Sequence, residues 1–128
     1  MPSLLSQIEK HYPFSKLGGL PRKVRLAFRF MEENFHKKIG LKDVAESVCL
    51  KPESLCKMIH EVLKKKEIYI TCSQYLNGIR VMKAMERFQI DSSVKCYTVA
   101  HLLNIGDRNF RRIFKKLTGK TPSEYRNE

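Results

Sequence analysis

Apolar residues recur at three- and four-residue steps in several separate stretches of the chain, the spacing of amphipathic helices. In "KVRLAFRFMEENF", Val24, Leu26, Ala27, Phe30, Met31 and Phe35 keep that spacing, and Gly40 breaks it. "LKDVAESV" then lines up Leu41, Val44, Ala45 and Val48. A short "CLK" turn leads to Pro52, which suits the first position of a new helix, where its missing N–H would have been unpaired anyway. That helix, "PESLCKMIHEVL", turns Leu55, Met58, Ile59 and Val62 inward. Two short helices on a tight turn predict a helix-turn-helix. A longer helix is expected from about Ser73 to Phe88, where Tyr75, Leu76, Ile79, Met82, Met85 and Phe88 cover more than one stripe and so predict packing on two sides. "QIDSSVK" is a polar break. Ahead of all this, residues 1–22 read as a polar arm or linker ending in the Gly/Pro break "SKLGGLPR".

The pattern then returns. "TVAHLLNIGDRNFRRIFKKL" lies on "DVAESVCLKPESLCKMIHEVL" without a gap: Val44-Ala45 on Val99-Ala100, Val48 on Leu103, Leu50 on Ile105, Leu55 on Phe110, Met58 on Ile113, Ile59 on Phe114 and Val62 on Leu117. Each pair stands 55 positions apart, and the apolar positions match while the polar ones change. This predicts an all-α chain with a duplicated helix-turn-helix and a connecting helix between the copies. The expected divisions are 1–22 for the arm, 23–70 and 91–128 for the two units, and 71–90 for the connector.

The second copy ends in "FRRIFKKLTGKTPSEYR". Phe110, Ile113, Phe114 and Leu117 form a core stripe, which leaves Arg108, Arg111, Arg112, Lys115 and Lys116 for the other face. Gly119 suits a left-handed helix cap, and Thr121-Pro122-Ser123-Glu124 reads as a capping box with proline at the first helical position. A new helix would thus offer free N–H groups to a phosphate, with Lys120 just before it and Thr121 at its cap. Guanidinium groups on the preceding helix suit bidentate contact with guanine edges.

Charge points the same way. With 25 Lys+Arg against 13 Asp+Glu, the net charge is +12, which attracts polyanions: nucleic acid first, an acidic membrane second. The apolar stripe of the basic helix is needed for the core, so the membrane reading is the weaker. No apolar run reaches the length of about 18 residues expected of a spanning helix, and "MPSLLSQIEKHYPF" is too polar and interrupted for a signal peptide. Cysteines at 49, 56, 72 and 96 form no Cys-x-x-Cys pair, hence neither a disulfide framework nor a zinc knuckle, and read as reduced thiols of a cytoplasmic protein. Cys56 and His60 stand one helical turn apart, but two ligands make no metal site. No nucleophile triad, carboxylate pair or phosphate-cradling glycine loop is evident. The expectation is a non-enzyme with no cofactor.

These stretches resemble a known family. "FKKLTGKTPSEYR" follows the C-terminal signature of the AraC/XylS transcription regulators' DNA-binding domain almost residue for residue. "QYLNGIRVMKAMERF" is similar to that family's connecting helix, with Tyr75, Leu76, Ile79, Arg80 and Ala84 in place, and "IGLKDVAESVCLKPESL" to its first helix-turn-helix. The resemblance spans about Lys23 to Arg126. It implies seven helices and two recognition helices entering adjacent major-groove segments of double-stranded DNA, roughly 34 Å apart. Carried over by position, Glu53, Cys56 and Lys57 would face bases from the first reader, and Arg108, Arg111 and Arg112 from the second. Lys64, Lys65, Lys115, Lys116, Lys120 and Thr121 would meet phosphates. A bacterial, nucleoid-associated regulator is implied, with RNA polymerase as a further partner. The resemblance implies a monomer for this chain, and dimers only through a further domain.

Three departures stand out. Lys51 occupies a position where the family has a capping serine, and lysine cannot accept that bond. "EVLKKKEIYI" replaces a short Thr-Gly turn and adds about five residues, so either the helix runs on or a basic loop projects. "NIGDRNF" is one residue shorter than the family's glycine-phenylalanine segment, with Asn104 and Ile105 in place of that pair. The readers also differ: Glu53, Cys56, Lys57, His60 and Glu61 nearly balance in charge, whereas the second reader offers three arginines. The expected function is sequence-specific DNA binding in transcription regulation. The alternatives are an architectural DNA binder of low specificity and a polymerase or other protein-interaction module.

Overall fold

The computed structural model describes residues 3–127. Among them are eight α-helices: α1 (Leu4–His11), α2 (Arg22–Asn34), α3 (Leu41–Ser47), α4 (Pro52–Lys64), α5 (Cys72–Ile90), α6 (Cys96–Leu102), α7 (Asp107–Thr118) and α8 (Pro122–Arg126). A 3-10 turn (Phe14–Lys16) links α1 towards α2. No strand occurs among the described residues, so the all-α expectation holds. No helix among them is long and apolar enough to cross a membrane.

The 55-residue interval extends from sequence into backbone. Helices α3 and α6 start 55 residues apart, at Leu41 and Cys96, and so do α4 and α7, at Pro52 and Asp107. Both turns use one left-handed residue, Cys49 (φ 57°) and Asn104 (φ 55°). Both close with the same bond: the Leu50 N–H donates to the Ala45 carbonyl and the Ile105 N–H to the Ala100 carbonyl, each at 3.0 Å. Asn104 thus holds the left-handed position of its turn and Ile105 the buried one after it. Asparagine is among the few side chains that tolerate the left-handed region.

Two buried clusters result. The first gathers Val24, Ala27, Phe28, Met31, Val44, Ala45, Leu55, Ile59, Leu63 and the front of α5. The second gathers Val81, Ala84, Phe88, Val99, Ala100, Phe110, Ile113 and Phe114. Helix α5 serves both, as its double stripe predicts. It begins at Cys72, one residue before the expected start, because Thr71 and Gln74 form a capping box: the Thr71 hydroxyl accepts from the Gln74 N–H, and the Gln74 side-chain carbonyl accepts from the Thr71 N–H. That signal was present in "TCSQ" and passed over.

Two expectations need correction. Residues expected as an arm are folded into the body: α1 buries Leu5 and Ile8, and Phe14 is fully buried. Phe14 stacks on Tyr75 with ring centroids 4.1 Å apart, and Phe28 meets both rings edge-on. The Tyr75 hydroxyl accepts from the Phe14 N–H at 2.9 Å and donates to Glu32, which also accepts from the Ser15 N–H and hydroxyl. In α2 the buried face is Val24, Ala27, Phe28 and Met31, a clean i, i+3, i+4, i+7 set; Leu26 lies exposed and Phe30 half-exposed. Likewise Leu63 is buried in α4 where Val62 was expected to be.

Arg80 on α5 holds the loop after α2. Its guanidinium donates to the carbonyls of Phe35 at 2.9 Å, Lys37 at 3.1 Å and Ile39 at 3.1 Å, which satisfies a buried cation and three carbonyls together. Nearby, the Asn104 amide from the second turn donates to the His36 carbonyl at 3.1 Å. The two halves therefore touch at this loop as well as through α5.

Candidate nucleic-acid interface

Both second helices bury one stripe and expose the other. Helix α4 buries Leu55, Ile59 and Leu63 and exposes Glu53, Lys57, His60, Glu61 and Lys64, with Cys56 half-buried. Helix α7 buries Phe110, Ile113 and Phe114 and exposes Arg108, Asn109, Arg111, Arg112, Lys115 and Lys116. The equal register sets Glu53 against Arg108, Cys56 against Arg111, Lys57 against Arg112, His60 against Lys115 and Glu61 against Lys116. One fold thus presents two unlike surfaces, one of mixed charge and one with five cations.

Local pairing on α7 is light. Arg111 meets Asp107 at 3.4 Å one turn earlier, and the Arg112 guanidinium donates to the Asn109 side-chain oxygen at 2.6 Å. Both pairs are exposed, and such pairs contribute about 0–1 kcal/mol, little resistance to exchange for another acceptor. Arg108 makes no hydrogen bond or ion pair among the described residues. Asn109 was not singled out from sequence. Its spacing from Arg112, i to i+3, is the signal that marks it as that arginine's support.

The reader helices begin without side-chain caps. Lys51 takes the extended cap conformation before Pro52 and gives no capping bond, as its side chain dictates; Gly106 does the same before Asp107. At their far ends the two differ. Helix α7 stops at Gly119, left-handed at φ 83°, with its N–H on the Lys115 carbonyl at 2.8 Å. Helix α4 runs to Lys64, turns through Lys65 and Lys66, and closes at left-handed Glu67, where the Ile68 N–H donates to the Leu63 carbonyl at 3.0 Å. Ile68 and Ile70 are then buried in the first core. Of the two expectations for this insertion, the helix running on is not the one observed: α4 stops at Lys64, and the added residues form an exposed basic turn, Lys65 to Glu67, followed by the irregular stretch that carries Ile68 and Ile70. Lys64, Lys65 and Lys66 are exposed at the helix end, followed by Tyr69, 61% exposed.

The stretch Phe114 to Arg126 has a physical task at each signature position. Phe114 packs edge-on against Phe88 and Tyr125. The Tyr125 hydroxyl accepts from the Gln89 side chain at 2.8 Å, and Arg126 donates to the Val94 carbonyl at 3.1 Å. The capping box forms as expected: the Thr121 oxygen accepts from the Glu124 N–H at 3.2 Å and its hydroxyl donates to the Glu124 carboxylate at 2.9 Å. That hydroxyl and then the Thr121 N–H hold the Glu124 carboxyl below the usual range, so it is ionised at neutral pH. Lys115 and Lys120 stand close enough to contribute to the same shift. Thr121 itself is therefore already engaged, and a carboxylate occupies the place where a phosphate was expected.

No group of three or more potential metal ligands occurs among the described residues. Burial pushes the Cys72 thiol up to about 12, with the charge of nearby Cys56 adding to the effect. The Cys72 thiol is therefore not set up as a nucleophile.

No family model matches the chain. Over 66 residues it is 38% identical to the transcriptional regulatory protein YesN of Bacillus subtilis (strain 168), a match covering 50% of this chain and 18% of that protein. Over 101 residues it is 26% identical to the HTH-type transcriptional regulator YisR of the same strain, covering 78% of this chain and 33% of that protein. The chain thus spans between about a fifth and a third of these relatives' lengths. Among solved structures, the C-terminal domain of AraT, a response regulator from Geobacillus stearothermophilus, superposes with a TM-score of 0.76 at 27% identity, covering 86% of this chain and 88% of that one. A DNA-binding transcriptional dual regulator from Escherichia coli K-12 shares the fold with a TM-score of 0.67 at 20% identity, covering 88% of this chain and 96% of that one.

Proposed function

We propose that this is a DNA-binding domain of the AraC/XylS type that binds double-stranded DNA sequence-specifically through α4 and α7 and thereby regulates transcription; its signature stretch, its fold and the regulators it is similar to support this reading. The observation that carries this reading is the duplicated helix pair in one register, ending in two outward faces of which one bears five cations. Arg108, Arg111 and Arg112 read bases, since a guanidinium fork matches guanine O6 and N7. Glu53, Cys56 and Lys57 read from α4. Lys64, Lys65, Lys115, Lys116 and Lys120 grip phosphates. Thr121 joins them only if its box with Glu124 opens, which makes it the weakest of the contacts. The second half-site supplies more of the affinity than the first, because charge-assisted contacts concentrate on α7.

Selection of binding sites from a random DNA pool tests the reading directly, and failure to enrich any sequence would leave an architectural binder. With the selected duplex, Arg112→Ala weakens binding by about 1–3 kcal/mol and relaxes one base position. Lys116→Ala weakens selected and random duplexes alike and flattens the plot of log affinity against log salt by about one unit. Equal behaviour of the two variants on both duplexes would refute this division of roles.

A further inference from the structure

Helix α1 lies across the junction of the two halves. Ile8, fully buried, belongs to the first core, while Leu5, one turn earlier, belongs to the second with Val81, Phe110 and Phe114. The helix packs on both α5 and α7, and the 3-10 turn that follows it packs on α2. Its approach to α5 is made at Gly78, in the interior of that helix. A Cβ at this position would stand 2.3 Å from the Ile8 Cδ1, so any larger residue makes the end of that side chain shift. Glycine is a poor helix former, and its use mid-helix here is explained by that close approach. On the far side, the Phe14 N–H on the Tyr75 hydroxyl and the Ser15 N–H on Glu32 anchor the segment to α5 and α2. Apart from α1, the two bodies are joined by α5 and by the loop contact of Asn104 with the His36 carbonyl. A further element packed on both limits their twist about those joints.

We propose that α1 is a strut that fixes the mutual orientation of the two helix-turn-helix units, with Leu5 and Ile8 as its two positioning residues and Gly78 as the seat. The inference rests on the two-reader function for its effect on DNA and on geometry alone for its structural part. Once α1 is undocked, each unit keeps its own reader but the pair no longer meets two half-sites as one rigid body.

Leu5→Ala loosens the contact to the second unit at the buried side of α7 and leaves every exposed side chain of both readers in place. Nitroxide labels on native, exposed Cys49 and on an introduced Lys116→Cys, with Cys56→Ser and Cys96→Ser, report the distance between units by double electron–electron resonance in the absence of DNA. Leu5→Ala is expected to broaden that distance distribution at unchanged helix content. On DNA, its affinity for a duplex with both half-sites falls on the order of tenfold as the effective concentration of the second reader drops, while single half-sites bind within about twofold of the parent. If Leu5→Ala does not fold, Leu5→Val, a smaller truncation of the same contact, takes its place in both measurements. An unchanged distance distribution, or equal losses on single and double half-sites, overturns the strut. A parent protein that binds one half-site as tightly as two refutes the two-reader function instead, and the label distances still decide the strut.

Discussion

Cys49 and Asn104 hold the same backbone position in the two turns, and only one of them suits it. A left-handed conformation costs an ordinary side chain about 1–2 kcal/mol, and asparagine offsets part of this by local hydrogen bonding. The Asn104 amide also has a partner in the His36 carbonyl, whereas Cys49 is exposed. Cys49→Gly should therefore stabilise the protein, by about 0.5–1 kcal/mol after glycine's larger loss of chain freedom is counted. Urea unfolding measures it, and a lowered midpoint would contradict the account. Much at this scale was legible in the sequence. The roles of Phe114, Gly119, Thr121 and Pro122 follow from spacing, positive φ and capping chemistry, which are local. Phe28 and Leu63 were missed because in "KVRLAFRFMEENF" and "HEVLKKK" two adjacent helical faces are both apolar, and only the neighbours decide which turns inward. Arg80 was recognised as a motif position, but not its burial, because its three carbonyl acceptors come from a loop more than forty residues earlier in the chain.

At the level of elements, capping boxes fix where α5 and α8 begin, and one of them makes its helix sensitive to acid. The Glu124 carboxyl titrates below its ordinary value of 4.5 because the Thr121 hydroxyl and N–H favour the ionised form. A depressed carboxyl contributes stability above its unfolded value and loses it as pH falls through the folded value. The start of α8 should therefore loosen below about pH 4.5, and Glu124→Gln should remove that part of the loss. Melting temperatures of parent and variant compared at about pH 6 and about pH 3 check this: the gap between the two proteins should narrow in acid. Helix α1 was illegible for a related reason. Its eight residues carry three apolar side chains, Leu4, Leu5 and Ile8, too few to announce a helix by periodicity. Its burial comes from Gly78 and from two cores built by distant parts of the chain. The readers were legible because each combines an apolar stripe with a terminus signal of its own, and a repeat fixes the register twice.

For the molecule as a whole, charge and core separate cleanly. The net charge of +12 is concentrated outside, and, tyrosine and cysteine aside, Arg80 is the one polar or charged residue buried among the described residues. The thiols sample that division. Cys49 is exposed, whereas Cys72 is buried with its Sγ 3.5 Å from the Met31 sulfur, and burial holds its thiol up to about 12. Under native conditions iodoacetamide should modify Cys49 readily and Cys72 only as fast as the first core opens, so Cys72 labelling timed by mass spectrometry reports global unfolding. Equal rates at the two positions would mean that this core opens locally.

Helix starts in the two halves keep one interval, 55 residues, while the capping threonines that follow the readers, Thr71 and Thr121, are only 50 apart. The difference is the stretch that buries Ile68 and Ile70. In backbone register the two reader cassettes therefore correspond from Gly40 or Lys95 as far as Leu63 or Thr118, and no further. A graft carrying the second cassette into the first half must retain residues 64–71 of the host, because beyond that seam the halves close their cores with different plugs.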